Sequence, residues 1–268
     1  MDPINQRIGE MLARIRATRP LIHHITNLVV MNDTANVTLH VGGLPVMAHD
    51  AEEVAEMVTH AGALVLNVGT LSPDWIESML IAGRRANELQ TPVVLDPVGA
   101  GATQLRTRTN LELLRSLRIA VVRGNGGEIG ALSGEGGEVK GVESLAGPED
   151  PLTAARRLAQ TYGTVVALTG ARDIITDGAR VLMVSNGHIW LTTLTGTGCM
   201  ATTMVAAFAA VERDYLLAAA GALAMFGLAA ELAAEKAHGP ASFKVALFDQ
   251  IYNLTPEQVA VGVRVAEG

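Results

Sequence analysis

Residues 195–200 read Thr-Gly-Thr-Gly-Cys-Met and open a long apolar run, and Cys199 is the sole cysteine among 268 residues. The start of a helix carries unpaired backbone N–H groups and the positive end of the helix dipole, so it favours an anion. Gly196 and Gly198 have no Cβ and let the backbone approach a phosphate closely. The spacing places Cys199 in the first turn, where a thiol's pKa is expected to fall. This layout suits phosphoryl transfer. It equally suits a Gly-rich turn ahead of a core helix with a buried cysteine.

Other marked sequences follow expected strands, and ligands of open α/β sheets bind outside the carboxyl ends of strands. They are Asn67-Val68-Gly69-Thr70, Asp96-Pro97-Val98-Gly99-Ala100-Gly101, Arg123-Gly124-Asn125-Gly126-Gly127-Glu128 and Thr169-Gly170. Together with the Gly-Thr-Gly-Cys segment they describe one rim. Asp96 and Glu128 are its acidic residues. Mg²⁺ takes oxygen ligands, keeps several waters and uses one or two carboxylates beside substrate phosphates. Asp96 and Glu128 either hold such an ion, directly or through water, or cap a turn and a helix start respectively. Arg123 directly follows an apolar strand, where a guanidinium suits phosphate recognition or an ion pair tethering the sheet to a helix. Thr169 either offers its hydroxyl to a phosphate or ends its strand.

Several chemistries are excluded by missing motifs. There is no Walker-type Gly-x4-Gly-Lys-Ser/Thr, no dinucleotide fingerprint at the first strand–helix junction and no Gly-x-Ser-x-Gly elbow. His23 and His24 are neighbours on a strand and point to opposite faces, which argues against a shared metal. One of them is expected to be buried and the other exposed.

The elements that must carry these residues alternate between strand-like and helical patterns, the mark of a mainly parallel sheet with helices on both faces. Helices are expected over 4–17 (Ile8, Met11, Leu12 and Ile15 on one face), 29–40, 50–60, 72–89, 111–117, 151–162 and 242–252. Asp50 and Glu53 would form a capping box, and Ser72-Pro73 would start the fourth helix. Strands are expected over 21–25, 63–68, 93–95, 119–122 and 164–168. Segments 174–176, 180–185 and 188–191 read as antiparallel edge strands joined by Asp177-Gly178 and Asn186-Gly187 turns. Residues 197–237 are helical with a break near 212–214, residues 259–265 read as a last strand, and 133–148 as a loop or short helix.

Hydrophobic residues make up 49% of the chain and aromatics only 3%, which suits small-residue helices packed closely on a sheet. The length suits one domain over residues 1–268. A net charge of −7 argues against broad nucleic-acid or anionic-membrane binding. A single cysteine excludes an internal disulfide and fits a reducing cytoplasm. The first ten residues have no apolar run of the signal-peptide kind. The 16-residue apolar stretch 215–230 is short of the roughly 20 residues a membrane span needs and reads as a buried helix.

Taken together, these motifs resemble the hydroxyethylthiazole kinases of the ribokinase-like superfamily. The resemblance runs through His24-Ile25-Thr26-Asn27, Pro45-Val46-Met47-Ala48, Asn67-Val68-Gly69-Thr70-Leu71, Asp96-Pro97-Val98-Gly99-Ala100, Arg123-Gly124-Asn125 with Glu128, and Thr195-Gly196-Thr197-Gly198-Cys199. It implies a three-layer α/β fold and ATP- and Mg²⁺-dependent phosphorylation of the hydroxyl of 4-methyl-5-(2-hydroxyethyl)thiazole. It further implies a cytoplasmic homotrimer with sites between subunits. By position, Met47, Gly196 and Asn27 fall on the thiazole side, and Arg123, Thr169 and Gly198 on the ATP side. Asn125 to Glu128 matches the superfamily's magnesium-linked Asn-x-x-Glu. Cys199 stands where most ribokinase-like enzymes carry an aspartate base, so it is a candidate base or hydroxyl-orienting group. A kinase for another small alcohol, such as hydroxymethylpyrimidine, a nucleotide-dependent dehydratase of hydrated nicotinamide cofactors (which expects Asp rather than Cys199) and a non-catalytic nucleotide-binding protein are the alternatives.

Overall fold

Asp2 caps the first helix by accepting a hydrogen bond from Ile4 N–H, and Pro3 occupies its first turn. This helix, α1 (Pro3–Thr18), buries Ile8, Met11, Leu12 and Ile15, the face read from the sequence. The computed structural model describes residues 2–134, 138–140, 143–146, 148 and 150–268. After α1 come β1 (Leu21–Ile25), α2 (Met31–Val41), β2 (Leu44–Val46), α3 (Val54–Met57), β3 (Ala63–Asn67), α4 (Pro73–Glu88) and β4 (Val93–Asp96). Next are α5 (Gln104–Ser116), β5 (Val121–Asn125), α6 (Gly126–Ser133) and a hairpin of β6 (Glu138–Lys140) with β7 (Glu143–Ala146). Then follow α7 (Pro151–Tyr162), β8 (Val165–Thr169), β9 (Asp173–Thr176) and β10 (Val181–Val184). The chain ends with α8 (Thr197–Ala209), α9 (Tyr215–Ala234), α10 (Pro240–Asn253), α11 (Pro256–Gly262) and β11 (Val265–Glu267).

Nine of these strands form one sheet in the order β11-β10-β9-β8-β5-β4-β3-β1-β2. Pairing is parallel from β2 through β8 and antiparallel among β8, β9, β10 and β11. Successive side chains of a strand point to opposite faces, and two separate cores result. Val65, Val94, Val121 and Ala167 join the core under α1, α2 and α8 to α11. Their neighbours Leu64, Leu66, Leu95, Val122, Val166 and Leu168 join the core under α3 to α7. This is the three-layer α/β architecture expected. The apolar helix α9 passes a length test for a membrane span, yet nearly all of it is buried against α8, α10 and α1.

Several local readings differ. Asp50 does not complete a box with Glu53. Its carboxylate accepts from Glu52 N–H at 2.9 Å in a turn, and a single helical turn starts only at Val54. Helix α5 begins at Gln104, capped by Thr103, because its polar first turns hide the apolar period used to place it at 111. Segment 188–191 belongs to a 3-10 helix, Ile189–Thr193, not to a strand. Asn186 draws the chain aside there: its carbonyl accepts from Arg264 N–H at 2.6 Å and its amide donates to Glu231 and the Gly262 carbonyl. Residues 259–265 hold the end of α11, boxed by Thr255 and Gln258, with only Val265 in a strand. Within 133–148 the described residues form the end of α6 and the β6–β7 hairpin; 135–137, 141–142 and 147 lie outside the described residues.

His23 and His24 are both fully buried, contrary to the split expected from strand alternation, because helices cover both faces of β1. His23 Nε2 meets the Ala48 carbonyl at 2.6 Å and His24 Nε2 the Thr38 hydroxyl at 3.2 Å. Burial, aided by His23, pushes the His24 imidazole down to about 3. The unfolded chain therefore takes up a proton below about pH 6.5 that the folded protein refuses until about pH 3. The stability this adds is complete above pH 6.5 and is lost on acidification at up to about 1.4 kcal/mol per pH unit. Urea unfolding between pH 7.5 and 5.0 should thus show a shallower pH dependence for His24→Gln than for the native chain. Equal slopes would rule out a neutral buried His24.

Candidate active site

Adjacent parallel strands bring the marked residues to one edge. Asn67 and Asp96 end β3 and β4 as register partners, and Asn125 faces Thr169 across β5 and β8. Asn27 lies two residues beyond β1. The amino end of α8 closes over this edge, packing on β3, β4 and β5. Its cap, Gly196, has φ +84°, and a Cβ there would lie 2.7 Å from Val30 Cγ1, so both backbone and space call for glycine. A Cβ on Gly198 would stand 2.6 Å from Arg123 Nη1. The Arg123 guanidinium is thus laid against the first turn of α8, and its Nη2 donates to Thr169 Oγ1 at 2.6 Å. Its Nε is buried without a hydrogen-bond partner. This cation and the helix start together form an anion-favouring corner.

The acidic residues lie beside it. Asp96 is 1% exposed, and its Oδ2 accepts from Asn67 Nδ2 at 2.8 Å and from Thr202 Oγ1 at 2.9 Å. Burial raises its pKa, while Arg123, Thr202, Cys199 and Asn67 pull it back. Glu128 accepts from Gly99 N–H and from Asn125 N–H, each at 2.9 Å, and the Asn125 side chain returns a bond to Glu128 N–H. Glu128 therefore fills the helix-start role that the sequence allowed. Burial and then the charge of Asp96 push its carboxyl up to about 7. Asp173, whose carboxylate accepts from Gly170 N–H, is raised by burial to about 6 and is also within the field of Arg123.

These two neighbouring carboxyls fit a hard divalent cation: the charge of Asp96 disfavours ionised Glu128, a strain that a cation relieves. No three His, Cys, Asp or Glu side chains converge among the described residues, so waters and phosphates would complete the coordination, as Mg²⁺ prefers. Both Glu128 oxygens are already engaged by amides, which favours contact through water.

The first-turn position does not lower the Cys199 thiol. Burial and the carboxylate of Asp96 push it up to about 12, against the partial help of N–H donors from Asn67 at 3.3 Å and Asn27 at 3.5 Å. Desolvation of an anion outweighs the partial charges of the helix end here. Asn27 also donates to Asn67 Oδ1 at 2.8 Å. Met47 follows the edge strand β2 and is half-buried, with the adjoining Ala48 carbonyl held by His23.

Sequence reading marked Asn67 only as the start of a rim segment and passed over Thr202 and Arg106. Asn67 closes β3 at the rim, and its bonds to Asn27, Asp96 and Cys199 had no local signal in the sequence. Thr202 lies four residues after Gly198, hence on the same helix face. Arg106 donates to the carbonyls of Val68, Gly69 and Val98 at 3.1, 2.6 and 2.7 Å, joining the loops after β3 and β4.

The family model of the hydroxyethylthiazole kinase family matches residues 12–257. The chain belongs to the hydroxyethylthiazole kinase family. A hydroxyethylthiazole kinase from Roseiflexus sp. (strain RS-1) is 96% identical over 268 residues, covering 100% of this chain and 99% of that protein. The solved structure of a hydroxyethylthiazole kinase protein from Pyrococcus horikoshii OT3 is 46% identical, with a TM-score of 0.90, covering 98% and 99% of the two chains. A ribokinase-like superfamily protein from Enterococcus faecalis V583, 14% identical with a TM-score of 0.66 over 92% and 95%, shares the fold. The sheet described above thus has a ribokinase-like fold.

Proposed function

We propose that this kinase transfers the γ-phosphoryl of ATP to the hydroxyl of 4-methyl-5-(2-hydroxyethyl)thiazole, giving the thiazole phosphate used in thiamine biosynthesis and salvage. The contact of Arg123 with the Gly198 turn carries this reading, because it sets a fixed cation and free helix N–H groups on one point. Arg123, Thr169 and the amides of residues 196–199 hold the terminal phosphates. Asn27, Met47 and Gly196 hold the small, largely apolar alcohol. Asp96 and Glu128 would hold Mg²⁺, Glu128 through water, and the ion would neutralise phosphate charge. As the alcohol oxygen bonds to the γ-phosphorus, the bridging P–O bond to ADP breaks, and the alcohol proton leaves late, to an oxygen of the transferred phosphoryl group or to solvent. The transition state is loose, so positioning and charge outweigh early proton removal.

A thiol at about 12 is a poor base, and Cys199 acts chiefly by orienting the hydroxyl. Cys199→Asp keeps an active kinase, since the Asn27 and Asn67 N–H groups already aimed at Sγ would serve a carboxylate. Initial rates check this, and an inactive variant with unaltered substrate binding would reject position 199 as the place that orients the reacting hydroxyl. A complex with a non-hydrolysable ATP analogue tests the whole reading: a terminal phosphate distant from Gly198 and Arg123 overturns it.

The reading extends to one cytoplasmic domain over residues 1–268 and a homotrimer with sites between subunits. In support, the nine-stranded sheet takes strands from both ends of the chain. Leu28 and Val29, next to Asn27, are exposed apolar residues at the rim. A monomer by light scattering would remove the shared site and leave the kinase.

A further inference from the structure

We infer that Asn67 is a positioning residue that divides its two ends between the two substrates' halves of the reaction. Its carboxamide is 2% exposed, and every hydrogen-bonding position on it is used inside the site. The oxygen accepts from Asn27 Nδ2 at 2.8 Å and from Gly69 N–H at 2.9 Å. The nitrogen donates to Asp96 Oδ2 at 2.8 Å and to Cys199 Sγ at 3.3 Å. A backbone N–H can only donate, so Gly69 fixes which end is oxygen. The orientation of the amide is thereby set by the chain itself.

Asn27 lies flat on the same loop: a Cβ on Gly69 would come within 2.7 Å of its side chain. The second hydrogen of Asn27 points to Cys199 Sγ. The oxygen end of Asn67 therefore holds the residue assigned to the alcohol, and its nitrogen end holds the thiol and the carboxylate beside the transferring group. This inference rests on the reading of Asn27 as an alcohol-binding residue and of Cys199 and Asp96 as groups beside the transferring phosphoryl.

The two ends can be separated by substitution. Asn67→Asp keeps the shape and both acceptor contacts, loses the donor to Cys199 and sets a carboxyl oxygen against Asp96 Oδ2, where one shared proton must bridge the two acids, whereas Asn67→Ala deletes all four contacts. Each lost bond to a buried polar partner is worth about 1–2 kcal/mol, so Asn67→Asp should lower kcat about 30-fold with the KM for the thiazole alcohol within about twofold of native. Asn67→Ala should lower kcat at least as much and raise that KM about tenfold, with the KM for ATP unchanged in both variants. On an Asn27→Ala background, Asn67→Ala should raise the KM by less than the product of the separate effects, since the two residues act as one unit.

A merely structural role would not split kcat from KM between the two variants. Full kcat in Asn67→Asp, or a KM rise equal to that of Asn67→Ala, overturns the inference. Asn27→Ala separates the underlying reading: an unchanged alcohol KM there removes Asn27 from the alcohol site and the inference with it. A raised KM in Asn27→Ala beside inert Asn67 variants removes only the positioning role. Circular dichroism melting monitors folding, and the shape-conserving Asp variant decides if the Ala variant is unstable.

Discussion

Gly198→Val should lower kcat by about a thousandfold or more, the scale expected when donors preorganised around a reacting oxyanion are lost. The branch would start 2.6 Å from Arg123 Nη1 and 3.3 Å from both Cζ and Nη2 of the same guanidinium. Those atoms are the far end of a flexible side chain, so the chain folds and the guanidinium swings away. It then leaves Thr169, and valine carbons cover the helix N–H groups proposed to face the phosphoryl. Melting temperature and circular dichroism should stay close to native while the ADP-release rate collapses. Turnover within tenfold of native would show that the α8 start is not where the phosphoryl moves.

Arg123→Met should be nearly as damaging, by about a thousandfold in kcat, at the lower end of what a transition-state arginine contributes to phosphoryl transfer. The KM for ATP should rise about tenfold, matching the roughly 1.5 kcal/mol of a charge-assisted hydrogen bond. Methionine keeps much of the stem volume, so packing against Gly198 survives. A second readout is electrostatic. The positive charge of Arg123 now restrains Asp96, Glu128, Asp173 and Cys199 together. Without it, Glu128 should titrate above its present value of about 7 in the metal-free variant, as followed by carboxyl NMR. An unmoved Glu128 would mean the guanidinium is not near the acids in solution.

The rim was legible because each of its parts announces itself within a few residues: an apolar run, then Asp96-Pro97, Arg123-Gly124-Asn125 or Thr169-Gly170. Strand alternation then placed these ends side by side. What escaped depended on distant partners. The first-turn rule pointed the Cys199 thiol downward, and only the covering of that turn and the approach of Asp96 reverse the sign. His23 and His24 defeated alternation because both faces of a central strand are covered. Segment 188–191 had the look of a hairpin strand until Asn186 engaged Glu231 and Arg264, 45 and 78 residues away. Asn67 was marked only as the head of a rim segment, and three of its four partners, Asn27, Asp96 and Cys199, come from other segments of the chain.

Arg106 gathers three carbonyls from two loops onto a single guanidinium. Val68 and Gly69 are thereby tied to Val98 next to Asn27, one guanidinium holding the two loops together. A small, weakly featured alcohol offers few handles by which a pocket could mould itself. On the proposed assignment of Asn27 to the alcohol, Arg106 assembles the floor of its cradle before it arrives.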